Sequence, residues 1–416
     1  MSKILDELQD RGYITQVLDN ATITELKKFE GSSQSITKHD DYLYEITMPV
    51  DYELGFSKVD ELYDRPVEHG ACTSVRFGNC AGRNYDWKYD DCVSFVLRTP
   101  HTDELYASIG IACNVSGFSR EPSTLVKEFV ESGKWDEEYM MLPFNTKDGI
   151  NEKGVHVSLN VVPAHDIEKF TTGTNPNAPQ TICSFMLSRW ILDHYDTAAA
   201  AVSAMQNDLN IWAPKNAMGY ETHYLISDAN ESYIVEFWNN EVKVIKVYGE
   251  NTDIDRPYMT NFYIYGTEVD ESGNIVIEST TPSGAGIERY NYITAHAAEI
   301  TNSKAILSLL GEHLKYTNTY REETVPTWNS EFAGFEWEGR IYTNRDSQED
   351  FQPILDTAYE LFKTSFERGG EWWQTVHTSV YDFDAKELHI ISQEQGIENV
   401  KSFSFNDIAN TKLLVN

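Results

Sequence analysis

The chain has 416 residues, 41% of them hydrophobic and 12% aromatic, which is enough to bury a large core and excludes a disordered protein. Its 66 acidic and 33 basic residues leave a formal charge of −33, which excludes partners bound chiefly through phosphates, nucleic acid and anionic membrane alike. Five cysteines, an odd and irregularly spaced set, exclude a disulfide framework.

The first 20 residues carry acids where a secretory signal has a continuous apolar core. No later run is long enough to span a bilayer, so a cytoplasmic protein without membrane insertion is expected. Ile4, Leu5 and Leu8 fall on one helical face, and Asn20-Ala21-Thr22 offers polar caps for a second short helix. Gly31-Ser32-Ser33 breaks that pattern, and residues 42–63 are a mixed stretch rich in Tyr, Asp and Glu. Residues 1–71 therefore resemble an appended segment.

Strand character begins at Cys72. CTSVRF, SFVLRT, GVHVSLNVV, HYLISD, SYIVEFW and EVKVIKVYG are rich in β-branched and aromatic residues, and SDANES between two of them reads as a tight hairpin loop. Helices are expected at PSTLVKEFVESGK, at ICSFMLSRWILDHY leading into TAAAAVSAMQND, at SKAILSLLGEHLK and at PILDTAYELFKTSFERG. Grouped strands between blocks of helix, without regular βαβ alternation, favour layered sheets covered by helices. No repeat or low-complexity linker divides residues 72–416, which read as one domain.

Cys72 follows the small-residue step Gly70-Ala71 and precedes the cluster Arg83-Asn84-Tyr85-Asp86-Trp87. Most free cysteines are buried packing groups. As a metal ligand Cys72 would join His69, Cys80 and Cys92, but gaps of two, seven and eleven residues match no compact paired-ligand knuckle. As a nucleophile it needs a base, because a thiol with a pKa of about 8.5 is little ionised at neutral pH. Any of 11 histidines could supply one. A local solution also exists: cutting the Ala71–Cys72 bond would give Cys72 a free α-amine with a pKa of about 8, its own base. Asp86 could then orient that amine, and residues 1–71 become a removable prosegment.

These residues carry a resemblance. Cys72-Thr-Ser-Val-Arg-Phe, followed by Gly82-Arg83-Asn84-Tyr85-Asp86-Trp87, resembles the mature start of the choloylglycine hydrolase family. That family comprises bile salt hydrolases, penicillin V acylases and related acid-ceramidase-like amidases, all N-terminal nucleophile hydrolases. Further blocks follow in the family's order: Asp148-Gly-Ile-Asn-Glu-Lys-Gly-Val155 running into Ser158-Leu159-Asn160, then Ile226-Ser227-Asp228 with Glu231-Ser-Tyr-Ile-Val-Glu236. Met259-Thr260-Asn261, Glu288-Arg289-Tyr290 and His377-Thr-Ser-Val-Tyr-Asp382 complete the series.

The resemblance implies an α+β fold, a four-layer αββα sandwich, over residues 72–416, with autoproteolysis at Ala71/Cys72. It implies that Cys72 attacks a linear, non-peptide amide to give a thioester acyl-enzyme, with catalytic residues Cys72, Arg83, Asp86, Asn160, Asn261 and Arg289 and no metal or organic cofactor. In that scheme Asn160 and Asn261 would donate to the oxyanion, where one donor matters by about 3 kcal/mol. Arg83 and Arg289 would favour the thiolate and place the substrate. The implied substrate is a small N-acyl compound: an N-acyl amino acid, a fatty-acid amide or a conjugated bile salt.

Two features depart from the bile salt and penicillin acylase pattern. Seventy-one residues precede Cys72, and Phe262-Tyr263 follow Asn261 where a small residue and proline are usual. Two other readings stand beside amide hydrolysis: acyl transfer from the same thioester to an amine, and an acidic non-catalytic binding protein of the same fold. A homo-oligomer is compatible with all three. Phe118, Trp135, Tyr139, Met140 and Met141 are candidates for an acyl pocket.

Overall fold

The computed structural model describes residues 36–40, 42–47, 71–87, 93–99, 101, 103–113, 142–163, 173–212, 220–267, 284–315, 327–329, 334–337, 340–343, 374–393 and 395–405. The helices expected before residue 32, at 122–134 and at 353–369, and the acyl-pocket candidates, lie outside them.

Two sheets form the body. The first has nine strands, in the spatial order β1 (Ile36–Lys38), β2 (Leu43–Thr47), β5 (Ser94–Thr99), β6 (Ser108–Cys113), β7 (Thr146–Asn151), β8 (His156–Pro163), β11 (Tyr220–Ser227), β12 (Ser232–Trp238) and β13 (Glu241–Tyr248). The second has six: β14 (Tyr258–Met259), β3 (Ala71–Phe77), β4 (Cys80–Trp87), β20 (Gln374–Asp382), β21 (Glu387–Ser392) and β22 (Lys401–Ser404). Smaller pairings complete the strands: β9 (Gln180–Cys183) with β10 (Leu209–Trp212), β15 (Asn261–Phe262) with β16 (Gly284–Ala285), and a three-stranded sheet of β17 (Thr327–Asn329), β18 (Gly334–Trp337) and β19 (Arg340–Thr343).

Alternation along each strand decides what it faces. On β8, Val157, Leu159 and Val161 pack among α1 (Leu187–His194) and α2 (Ala198–Asn207) on the outside of the first sheet. On the second sheet, Val75 and Val380 pack against α3 (Ile287–His296) and α4 (Ser303–Ser308). Between the sheets, Val96, Ile109, Ile111 and Ile150 of the first meet Ala81, Tyr381, Leu388 and Ile390 of the second. Helix, sheet, sheet and helix follow in that order, the αββα sandwich.

Several strands keep the bounds read from sequence. SFVLRT is β5 and SYIVEFW is β12, and the hairpin between β11 and β12 is closed by Asp228, whose Oδ1 accepts from the backbone N–H groups of Asn230 (2.8 Å) and Glu231 (3.0 Å). One helix begins later than expected. Ile182 and Cys183 belong to β9, paired parallel with Ile211 and Trp212, and the α-helix starts only at Leu187. A new helix follows where the Thr197 side chain accepts from the Ala200 N–H.

Residues 36–47, which precede Cys72, supply two strands of the nine-stranded sheet. β2 runs parallel to β5 from Leu43↔Ser94 to Thr47↔Arg98. Leu43, Tyr44 and Ile46 are at most 1% exposed, so their side chains are core and not a covering layer. Arg98 Nε donates to Glu45, and Ser392 Oγ donates to Asp40 Oδ2 at 2.6 Å, tying the segment to both sheets. Leu43→Ala and Ile46→Ala should each lower unfolding free energy by about 2–5 kcal/mol in denaturant melts. A chain begun at Cys72 should aggregate on expression, because β5 loses its parallel neighbour.

Candidate functional site

Cys72 is the second residue of β3, and alternation turns it, with Ser74 and Arg76, toward the space between the sheets. It is fully buried. Three partners grip it from different elements. Arg83 on β4 points Nη2 at the sulfur, 3.1 Å away. The Cys72 backbone N–H donates to Asn261 Oδ1 at 2.7 Å, and Arg289 Nη1 donates to the Cys72 carbonyl. Arg289 also donates to Thr73 Oγ1 (2.6 Å) and, through Nη2, to Asn261 Oδ1 (2.8 Å).

The other expected residues stand around this centre. Asn160, on the inner face of β8, accepts from Ser74 Oγ (2.9 Å) and Arg83 Nε (3.5 Å), and its amide nitrogen donates to the carbonyls of Met259 (3.3 Å) and Thr260 (2.9 Å). Asn261 Nδ2 donates to the Val161 carbonyl at 2.6 Å. Both carboxamides are thus engaged with the chain around the intact Ala71–Cys72 bond. Asp86 stands opposite Ala71 in the β3–β4 register; its Oδ1 accepts from Thr375 Oγ1 at 2.6 Å, and its Oδ2 lies 4.0 Å from Arg289 Nη1. All six residues expected from sequence therefore meet in one buried cluster.

Local backbone geometry makes this convergence possible. Arg289 rides on the first turn of α3, which begins at Gly286 with φ +85°. A β-carbon at 286 would fall 2.3 Å from Arg289 Nη2, so only glycine lets the arginine fold back over the helix start. Thr260 Oγ1 fastens the same turn by donating to the Gly286 carbonyl at 3.0 Å.

A further set of residues carries no role in the sequence reading. Asp148 on β7 receives Arg83 Nη1 (3.2 Å), Ser379 Oγ (2.6 Å), Tyr381 OH (2.8 Å) and His377 Nε2 (3.4 Å). His223 joins the Thr260 carbonyl (2.8 Å) to Glu236 Oε1 (3.2 Å), and Glu236 accepts from the N–H groups of Ile264 and Tyr265, both at 2.8 Å, which fastens the segment bearing Asn261. A signal was available: His377, Ser379 and Tyr381 recur every second residue, a polar face on a strand whose other side carries Val380.

Burial pushes the Cys72 thiol up; Arg83 pulls it down, Asp86 pushes it up and Arg289 pulls it down, and the balance is upward. Cys72 in the uncut chain is therefore a neutral thiol at physiological pH. Burial and then Asp382 push Cys80 up to about 12, as suits a packing thiol. Burial works against the Asp148 carboxylate, but His377, Arg83 and Ser379 outweigh it and hold the carboxyl well below the usual range. Burial likewise opposes protonation of His377, and Asp148 and Cys113 reverse that, raising it. Among the described residues no cluster of three metal-ligating side chains occurs. None of the described helices is long and apolar enough to cross a membrane.

Residues 137–396 match the family described as acyl-coenzyme A:6-aminopenicillanic acid acyl-transferase. Among solved structures, a mutant conjugated bile acid hydrolase from Clostridium perfringens aligns at 13% identity and TM-score 0.46, covering 82% of this chain and 93% of that one. A penicillin V acylase from Agrobacterium tumefaciens aligns at 15% identity and TM-score 0.43, over 82% of this chain and 89% of that one. No curated relative matches the sequence at a significant level.

Beside Asp148, His156 on β8 packs on the Tyr381 ring at 4.9 Å, and neither of its ring nitrogens has a hydrogen-bond partner among the described residues. Burial pulls its pKa down to about 3 from 6.5. The folded state therefore refuses a proton that the unfolded chain accepts, so this contribution is complete above pH 6.5 and is lost as pH falls toward the folded value. Roughly 3 kcal/mol should disappear between about pH 6.5 and pH 4, and His156→Phe should flatten that limb of a stability–pH profile.

Proposed function

The chain belongs to the acyl-coenzyme A:6-aminopenicillanic acid acyl-transferase family, which its match over residues 137–396 shows, and from that membership we propose a cysteine amidohydrolase working through an N-terminal nucleophile. The observation that carries this reading is the pairing at Cys72. Its sulfur takes a guanidinium hydrogen bond at 3.1 Å while its own nitrogen is held at 2.7 Å by Asn261, and among the described residues no histidine bonds to it. This supports the Cys72 nitrogen as the base once a cut at Ala71 turns it from an amide into an amine.

Maturation begins when Sγ attacks the Ala71 carbonyl carbon. The acyl group moves from nitrogen to sulfur, the freed α-nitrogen takes the thiol proton, and water hydrolyses the resulting ester. The products are an Ala71 carboxylate and a free Cys72 α-amine. Asn261 Oδ1 is already in place to accept from that amine and hold it beside the sulfur. In turnover the α-amine takes the proton from Sγ as it attacks a substrate amide and returns it to the departing amine. Water then releases the acid from the thioester. Arg83 favours the thiolate that burial disfavours, and Arg289 fixes the Cys72 carbonyl. The substrate class is a linear N-acyl amide, with N-acyl amino acids, fatty-acid amides and conjugated bile salts as first candidates.

The family description favours a second reading, in which an amine replaces water as acceptor of the same thioester. Only the last step differs between the two.

The deciding measurement is intact mass with N-terminal sequencing of wild type beside Cys72→Ala. Wild type should resolve into two chains, residues 1–71 and a chain that begins at Cys72, and the variant should stay full length and inactive. A wild-type chain uncut at acidic, neutral and reducing conditions would remove the α-amine from the mechanism. With an N-acyl amino acid as substrate and a free amine added, product analysis separates the chemistries: free acid marks hydrolysis and a new amide marks transfer.

A further inference from the structure

We propose that Asp148 is a positioning residue for Cys72: reaching across from the opposite sheet, it aims Arg83 at the sulfur, and β20 in turn fixes Asp148. The proposal deepens the reading of Cys72 as nucleophile and rests on it.

The geometry of Arg83 carries the argument. Its guanidinium divides three ways, Nη2 to Cys72 Sγ at 3.1 Å, Nη1 to Asp148 Oδ1 at 3.2 Å and Nε to Asn160 Oδ1 at 3.5 Å. A planar fork held at two of its nitrogens has no freedom left at the third. Both Arg83 and Asp148 are fully buried, so no water stands ready to replace the carboxylate. Asp148 is equally constrained. Ser379 and Tyr381 donate to Oδ2 at 2.6 and 2.8 Å, and His377 shares Oδ1 with Arg83 while its Nδ1 meets Ser94 Oγ at 2.8 Å. The sulfur is thus set by a chain of contacts from β20 through β7 to β4, in which Arg83 supplies the hydrogen bond to Cys72.

Charge and position make opposite predictions, which allows a clean test. The sulfur is faced by Arg83, Asp86 and Arg289. Asp148 is faced by Arg83 from β4, by His377 and Tyr381 from β20 and by His156 from β8, with Cys113 of β6 beside His377 and Arg83. Removing the Asp148 charge with Arg83 unmoved takes a negative charge away and makes the thiolate easier to form. Removing it with Arg83 released takes away the thiolate's main partner and makes the thiolate harder to form. The direction of the shift therefore reports whether Asp148 positions.

The experiment is the pH profile of iodoacetamide labelling of the purified protein with both its segments present, read at Cys72 by peptide mass, in wild type, Asp148→Asn, Ser379→Ala and Tyr381→Phe, with the state of the Ala71–Cys72 bond matched by intact mass. Circular dichroism accompanies each variant. Asp148→Asn should move the Cys72 midpoint to higher pH by about one unit, which is about tenfold slower labelling at a fixed lower pH. Ser379→Ala and Tyr381→Phe keep the charge and should move it the same way by less. If Asp148→Asn does not fold, these two variants carry the test. An unchanged or lowered midpoint in the folded variants, even with a lower melting temperature, makes Asp148 only a staple between the sheets and overturns the proposal. A wild-type Cys72 that labels no faster than Cys80 at any pH overturns the nucleophile reading, and this inference with it.

Discussion

Every nitrogen of the buried Arg83 guanidinium has an acceptor, and that satisfied fork organises the middle of the molecule. Its acceptors come from three strands: the sulfur of Cys72 on β3, the carboxylate of Asp148 on β7 and the carboxamide of Asn160 on β8. Two of those strands belong to the sheet opposite Arg83, so one side chain joins the layers where an apolar side chain would merely pack them. The interior is accordingly divided. Aliphatic side chains fill the gap around Ile109, Ile150 and Leu388, and a polar network fills it around Cys72. A fully apolar gap would pack as well and hold no thiol in a defined field.

That network also explains why its residues come from distant parts of the chain. Thr375 reaches Asp86 across 289 positions because the sheet is assembled from non-consecutive strands, and Arg289 reaches Cys72 across 217 from α3, which packs on that sheet. The strand order of the smaller sheet does this for Thr375 by placing β4 between β3 and β20. Register then sets the pairing, with Asp86 opposite both Ala71 and Thr375.

Strands were the more legible part of the sequence, because period-two alternation is a local property and survives burial. Two segments were hidden for different reasons. Ile182 and Cys183 sit before a strongly helical run and read as its first turn, yet their parallel partners Ile211 and Trp212 make them a strand, a preference that no local pattern contains. The segment LYEIT at 43–47 alternates as a strand should, but Glu45 among acids and tyrosines gave it the look of a surface stretch; its carboxylate is matched by Arg98, 53 residues onward. At the site, the six named residues were legible as a series of short blocks, and their meeting follows from the fold. Asp148, Glu236 and His377 stood in those same blocks, but their pairing with Arg83 and His223 was not legible, since a buried pair and a surface pair look alike until the strands are laid side by side.

The parallel docking of β2 on β5 has a consequence for what a cut after Ala71 would produce. Residues 36–47 are held by the core and by a backbone ladder, so severing the chain 24 residues later would remove no contact that keeps them in place. The product would be two chains from one gene, present in equal numbers because each pair was once a single molecule. The excised piece would keep two strands of the larger sheet, so the sequence of 36–47 answers to the packing of the core as strictly as any strand that follows it.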